Sequence, residues 1–411
     1  MEQPLINCAC IMKLLAVSVW LFVCLTVAGV IGYVYVLWAQ YWRWASRRRS
    51  PTVVRRVSAS PNGSIIAASA VGGVVELAKL APLPNDKVRA KVDAYRRQLL
   101  VQLRRSQIEG ARTLALQPDG NRYGVPPRPA TQRAREFGSP RTLLCNALKV
   151  KLGMLDSFAE PFRSTRYGRY FPKTPFWQER YNTCALVSSA GSLHGARLGD
   201  EIDSHDAVLR FNDAPTKGHE EDVGSKTTLR LLNSQVVARP EFDFFDSPLF
   251  RNITLVVWDP CKYSEPLAEW VKHPEWDMLT SYWLRREVLP EEHFYILDPK
   301  SIWLAWEWLR QESPGPVLRH PPSSGFLGLL LLLRVCSQVD VYEYIPSLRL
   351  TKRCHYYEVR DDPGCSLGDW HPLAAEKLLV FHMAQDEQAQ HDVFVRGRLT
   401  LAAKSCPEAG G

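Results

Sequence analysis

Four short segments of this chain combine residue types suited to a charged or hydroxylated ligand. From Cys184 to Ser192 an apolar stretch runs into a Ser/Gly turn containing Ser189, where small residues let a phosphate or sugar approach backbone N–H groups closely. Asn212 follows Phe211 and Asn233 follows Leu232, each at the end of an apolar run. A carboxamide there offers donors and an acceptor to a ribose or pyrimidine, or serves only to cap the strand end. Pro322-Ser323-Ser324-Gly325 precedes the apolar run Phe326 to Val335. That is a helix start, either a plain N-cap or an anion site at the positive end of the dipole.

These segments need a scaffold. Short apolar runs at Cys184 to Ser188, Ala207 to Phe211, Thr227 to Leu232, Ile253 to Trp258, Phe294 to Leu297 and Val339 to Tyr344 alternate with loops and helices. Several are apolar on both faces, as buried strands of a largely parallel sheet are, which predicts an α/β, Rossmann-like three-layer sandwich. Ligands of such folds bind at the carboxyl ends of the strands, where all four segments fall.

The 411 residues carry a net charge of +8 and 46% hydrophobic residues, which excludes wholesale disorder and a multi-span membrane protein. Between Ala45 and Arg141 there are about 19 Lys/Arg against about 6 Asp/Glu, so the rest of the chain is net negative. The basic charge belongs to a segment, and no nucleic-acid partner is expected. Leu14 to Ala39 has no charged side chain and predicts one uncleaved anchor, followed by an aromatic belt at Tyr41, Trp42 and Trp44. Residues 1–13 are then a tail, 14–39 the anchor, 40–140 a stem and 141–411 the large domain. Within the stem, Val88, Val92, Tyr95, Leu99 and Leu103 recur at helical spacing after Asn85 and Asp86, an apolar stripe for packing on the domain.

Topology signals conflict. One Lys precedes the anchor while Arg43, Arg47, Arg48 and Arg49 follow it, which by charge alone leaves the domain cytosolic. The seven cysteines from Cys145 onward form no CxxC pair and no zinc-type cluster, so disulfides in an oxidising lumen fit better. The sequons at Asn62 and Asn252 are compatible with that location. The odd count leaves one free thiol, for which Cys261 is the candidate after a turn-like Asp259-Pro260.

Taken in order, Arg210-Phe211-Asn212, Val223-Gly224-Ser225-Lys226-Thr227-Thr228, Pro322-Ser323-Ser324-Gly325, His355-Tyr356-Tyr357-Glu358 and His371 with Glu376 resemble the motifs of the eukaryotic sialyltransferases. The stretch Cys184 to Gln235, Val257-Trp258-Asp259-Pro260 and Tyr342 to Ser347 resemble the β-galactoside α-2,6-sialyltransferases in particular, and coverage runs from about Cys145 to Cys406. The resemblance implies a GT-A-like variant of the fold, held in the Golgi membrane as a single-pass type II protein with a luminal domain, which overrides the charge rule. Release by stem cleavage and a homodimer are compatible with it.

It also implies roles. CMP-sialic acid is the expected donor, contacted by Ser189, Asn212 and Asn233, with Ser323, Ser324 and Gly325 cradling phosphate or carboxylate and Cys354, His355 and Ser366 lining the same pocket. Gln235, Trp258, Glu275, Trp370 and Lys377 are expected around the galactose of a glycoprotein acceptor; Glu275 stands where the family has Asp, and Trp370 where it has Tyr. No Asp-x-Asp triplet is present, so no metal is expected. Expected disulfides are Cys184 with Cys336, Cys354 with Cys365, and Cys145 with Cys406. His371 is the expected general base of an inverting displacement, capping a helix over Leu373 to Phe381 behind Pro372, with Glu376 in a structural role. Another linkage or acceptor (α-2,3, or GalNAc) and an inactive sialoside- or CMP-binding module are the alternatives.

Overall fold

The computed structural model describes residues 85–117, 120–127, 136–359, 361, 370–384, 387–403 and 406, with Trp20, Phe22, Leu25, Thr26 and Gly29. The expected anchor lies almost wholly outside the described residues, and Asn62, Cys365 and Ser366 lie outside them too. No helix among the described residues is long and apolar enough to cross a membrane. The chain divides into a unit of Met1–Ala78 and one of Lys79–Gly411, and the fold belongs to the second.

Seven strands form one sheet: β1 (Tyr181–Val187), β2 (Ala207–Phe211), β3 (Leu229–Asn233), β4 (Thr254–Trp258), β5 (Phe294–Ile296), β6 (Cys336–Tyr342) and β7 (Arg398–Leu401). Their order is β5-β4-β3-β2-β1-β6-β7, all parallel except β7, which pairs antiparallel with β6. The six expected strands are present with their ends shifted by a few residues; β7 is additional. Strand β2 is buried at every position, which is why it lacks the alternation of a half-exposed strand.

The longer helices are α1 (Asn85–Ala115), α2 (Pro140–Leu148), α3 (Met278–Val288), α4 (Pro299–Glu312), α5 (Ser324–Val335), α6 (Leu373–His382) and α7 (Glu387–Val395). Helix α5 is apolar around nearly its whole circumference because it is buried in the main core with β1 and β6. Helix α1 buries Val92, Leu99 and Leu103 in that same core, with Val88 and Tyr95 partly covered, so the apolar stripe lies on the domain.

Cys145–Cys406 and Cys184–Cys336 are disulfides, the pairs the resemblance implies. Cys354 is also disulfide-bonded, and its expected partner Cys365 is outside the described residues. Cys261 is the free cysteine among the described residues, with burial pushing its thiol up to about 12. Because Cys184–Cys336 closes 152 residues, the double serine variant is expected to lose about 4 kcal/mol of stability. Thermal denaturation against wild type checks this; an unchanged Tm would remove the cross-link from the account.

Candidate active site

Strand β1 has β2 on one side and β6 on the other, so the connections leaving its carboxyl end and that of β6 diverge and open a crevice between them. A cavity of ≈ 240 Å³ lies there. Ser188 to Ser192 after β1, Glu343, Tyr344 and Pro346 after β6 and Ser323 to Gly325 at the start of α5 line it, with Asn212, Cys354, His355, His371 and Lys377.

Backbone pairing builds one wall. Ala190 bridges antiparallel to His355, Gly191 N–H donates to Cys354 C=O at 3.1 Å and Tyr356 N–H to Ser189 C=O at 3.1 Å. A Cβ at Gly191 would lie 2.2 Å from the Arg353 carbonyl oxygen, so only glycine permits this approach. Glu343, buried, accepts from Ser192 Oγ at 2.7 Å, Ser347 Oγ at 2.7 Å and Arg349 Nη2 at 2.6 Å, tying the β6 turn to the Ser/Gly turn.

At the head of α5, Ser323 Oγ caps the helix by accepting from Phe326 N–H at 3.1 Å. Its own hydroxyl donates to Glu376 at 2.5 Å, its N–H donates to the same carboxylate at 2.8 Å, and Tyr344 OH donates there at 2.8 Å. Glu376 is fully buried, and burial raises its pKa, opposed by the Ser323 and Tyr344 bonds. Of the two readings of Pro322-Ser323-Ser324-Gly325 the cap is present, in Ser323, while Ser324 and Gly325 line the cavity at the positive helix end. Ser324 Oγ is occupied by the indole N–H of Trp258 at 2.9 Å.

His371 is not the helix cap. Pro372 precedes α6, and the imidazole instead meets the Pro321 carbonyl through Nδ1 at 2.8 Å. A carbonyl only accepts, so Nδ1 carries the proton and the lone pair of Nε2 is left to take another. Burial pushes the pKa down to about 4, partly offset by the Pro321 carbonyl, with His320 lowering it further. The ring is neutral well below pH 6, for desolvation more than for any helix dipole. Trp370 packs edge-on against it at 4.4 Å and Trp258 lies 6.3 Å away.

Asn212 adopts φ +47°, a conformation that Arg230 supports by donating to the Asn212 and Ala214 carbonyls at 2.7 and 3.0 Å. Its Oδ1 accepts from Asn233 N–H at 3.0 Å, leaving the amide nitrogen to donate. Asn233 caps the turn Ser234–Ala238 through Val236 N–H at 3.3 Å and does not line the cavity.

The residues expected around the acceptor separate. Trp258 is 3% exposed, so its ring offers no open face, whereas Trp370 is 39% exposed beside His371. Glu275 is ion-paired with Arg122, whose guanidinium lies over Tyr123, and Tyr123 in turn meets Trp370 and His320. Lys377 lines the cavity with Ser323 and Ser324 rather than standing with these; burial pushes it down to about 8, opposed by Glu376. Gln235 and Asn252 lie outside this cavity, and Asn252 opens a separate depression with Lys226 and Glu292. Sequence reasoning did not single out Arg122, Tyr123, His320, Glu343 or Arg230; of these, Arg230 and Glu343 lay within stretches that the resemblance marked.

Cys354, His355 and Glu358 are the one group of potential metal ligands within reach of one another among the described residues. The Cys354 sulfur is in a disulfide and cannot act as a thiolate, and His355 already meets Glu358 at 3.1 Å.

The family model described as glycosyltransferase family 29 (sialyltransferase) matches residues 139–388. Beta-galactoside alpha-2,6-sialyltransferase 2 of Bos taurus is 42% identical over 70% of this chain and 58% of its own length. The proteins of that name from Gallus gallus and Homo sapiens are 43% and 42% identical, over 63% and 70% of this chain and 50% and 55% of theirs. The chain thus spans little more than half the length of these relatives. A mammalian sialyltransferase of known crystal structure is 22% identical over 66% of this chain and 83% of its own, with a TM-score of 0.35. With the match covering most of the folded unit and every element around the cleft from β1 to α6, this chain belongs to glycosyltransferase family 29, the sialyltransferases.

Proposed function

We propose that the chain transfers sialic acid from CMP-sialic acid to the 6-hydroxyl of terminal β-galactose on glycoprotein N-glycans, with inversion, in the Golgi lumen from a type II membrane anchor. The observation that carries the reading is the tautomer of His371: a neutral imidazole in the cleft whose free nitrogen is Nε2, beside a helix N-terminus able to receive an anion. The relatives' printed names supply the linkage, and the disulfides fit an oxidising compartment.

In this mechanism the galactose O6 attacks the anomeric carbon, the bond to the CMP phosphate breaks, and the O6 proton passes to His371 Nε2. Charge growing on the leaving phosphate meets the N–H groups of Ser324 and Gly325 and the Lys377 ammonium. A base near pKa 4 is weak for an alcohol, but the donor's phosphate and carboxylate beside the ring favour imidazolium and raise it in the complex. The acid limb of kcat against pH is therefore expected above that of kcat/KM, which reports the free enzyme. Coincident limbs near pH 4 would remove this role of the donor.

Incubation of the full chain with CMP-sialic acid and N-acetyllactosamine, with linkage read by linkage-specific sialidases, tests the reading. An α-2,3 product or none overturns it. No metal is needed in this scheme, since a single phosphate is met by a helix end and Lys377. EDTA is expected to leave the rate unchanged, and a tenfold loss restored by Mn²⁺ would overturn this account of the leaving group.

A further inference from the structure

Asp259 directly follows Trp258 at the carboxyl end of β4 and is fully buried. Its Oδ2 accepts from the Trp270 indole N–H at 2.9 Å and from the Glu275 backbone N–H at 2.8 Å; its Oδ1 accepts from Trp276 N–H at 3.4 Å. The Ser234 side chain is a further donor. Ser234 immediately precedes Gln235, so one carboxylate holds both the segment that carries Gln235 and the segment that carries Glu275. Arg122 fixes the Glu275 side chain independently, from a different part of the chain.

Burying a carboxylate costs free energy unless donors surround it. A group serving only to fill space between β4 and its neighbours would be better apolar. The geometry here is selective: the bonds reach two loops, distant in sequence, that both follow carboxyl ends of strands on the same side of the sheet. Burial pushes this carboxyl up to about 6 against the pull of Ser234 and Trp270.

We propose that Asp259 is the positioning residue of the acceptor side, setting residues 234–235 and 275–276 in register with one another without touching substrate. This rests on the reading of Gln235 and Glu275 as acceptor residues. Asp259→Asn keeps the shape but presents an N–H₂ donor to groups that are themselves donors. In the full chain it is expected to raise KM for N-acetyllactosamine at least about tenfold, with kcat within about threefold and CMP affinity unchanged, because orientation of one substrate is lost. A general structural role would instead weaken CMP binding and kcat together, and that outcome, or an unchanged KM, overturns the proposal.

Amide exchange supplies a readout free of any assumption about the acceptor. In Asp259→Asn the Glu275 and Trp276 amides are expected to exchange at least about tenfold faster while those of β2 keep their protection. Arg122→Gln, which releases the Glu275 side chain and the Tyr123 stack but keeps the Asp259 bonds, is expected to leave those two amides slow. If wild type turns out not to use N-acetyllactosamine, the acceptor reading fails, and slow Glu275 and Trp276 amides in Asp259→Asn would still overturn the positioning claim. Should Asp259→Asn not accumulate as folded protein, Ser234→Ala removes a single bond to the same carboxylate and is expected to raise KM about threefold; no change there overturns the proposal.

Discussion

Replacing His371 by alanine is expected to lower kcat by at least about 10²-fold while CMP still binds, since general-base contributions are of that order or larger. The effect follows from a specific arrangement: Nδ1–H is committed to the Pro321 carbonyl, so Nε2 is the only ring nitrogen able to take a proton. Steady-state kinetics at saturating donor and calorimetric CMP binding check it. A variant that keeps more than about a tenth of wild-type kcat with a normal fold would move the role to His355, the other imidazole on the cleft. The pH dependence has a definite sign. The folded-state pKa of about 4 lies below the value near 6.5 expected of the unfolded chain. Between those values the unfolded chain binds the extra proton, so this group's contribution to stability is present above about pH 6.5 and is lost as pH falls toward 4. His371→Ala should flatten stability over that window, measured by denaturant unfolding at several pH values.

After His371→Ala, Glu376→Gln is expected to be the most damaging substitution. The carboxylate accepts from Ser323 N–H, Ser323 Oγ and Tyr344 OH, all buried, and glutamine offers one acceptor oxygen and an N–H₂ group that faces donors. Leaving such groups unsatisfied costs about 3 kcal/mol. Under the proposed mechanism the damage also reaches function, because Ser323 starts the helix whose end would receive the leaving phosphate and Tyr344 sits against Gly325, where an added Cβ would lie 2.7 Å from its ring. CMP affinity and Tm should therefore fall together, with kcat/KM down at least about tenfold. A Glu376→Gln protein that loses Tm but binds CMP as wild type does would confine Glu376 to stability. Glu376 lies five residues from His371, more than a turn of helix, and its partners are Ser323, the cap of α5, and Tyr344 after β6 rather than the imidazole.

What sequence alone determined here is what depends on local pattern. Strands such as Ala207–Phe211 are buried on both faces, so continuous apolar runs mark them; Ser323 caps α5 because Ser/Thr before an apolar run satisfies the first free N–H groups; Val92, Leu99 and Leu103 mark one face of α1 by their spacing. Strand β7 escaped because it has four residues and alternates Arg, Leu, Thr, Leu at the sheet edge. Arg210 and Arg230 look like surface residues in sequence but lie buried within strands, each guanidinium donating to carbonyls of residues 13 to 18 positions away. The resemblance named His371, yet its tautomer comes from a carbonyl 50 residues away and its depressed pKa from the walls that desolvate it. Likewise Glu376 could have faced solvent, Trp258 could have lain open to a sugar, and Arg122 is 153 residues from Glu275. Hydrogen-bond partners and desolvation are set by which distant loops share the carboxyl edge of the sheet, and that is decided only when the parallel strands are assembled in the order that places β1 between β2 and β6.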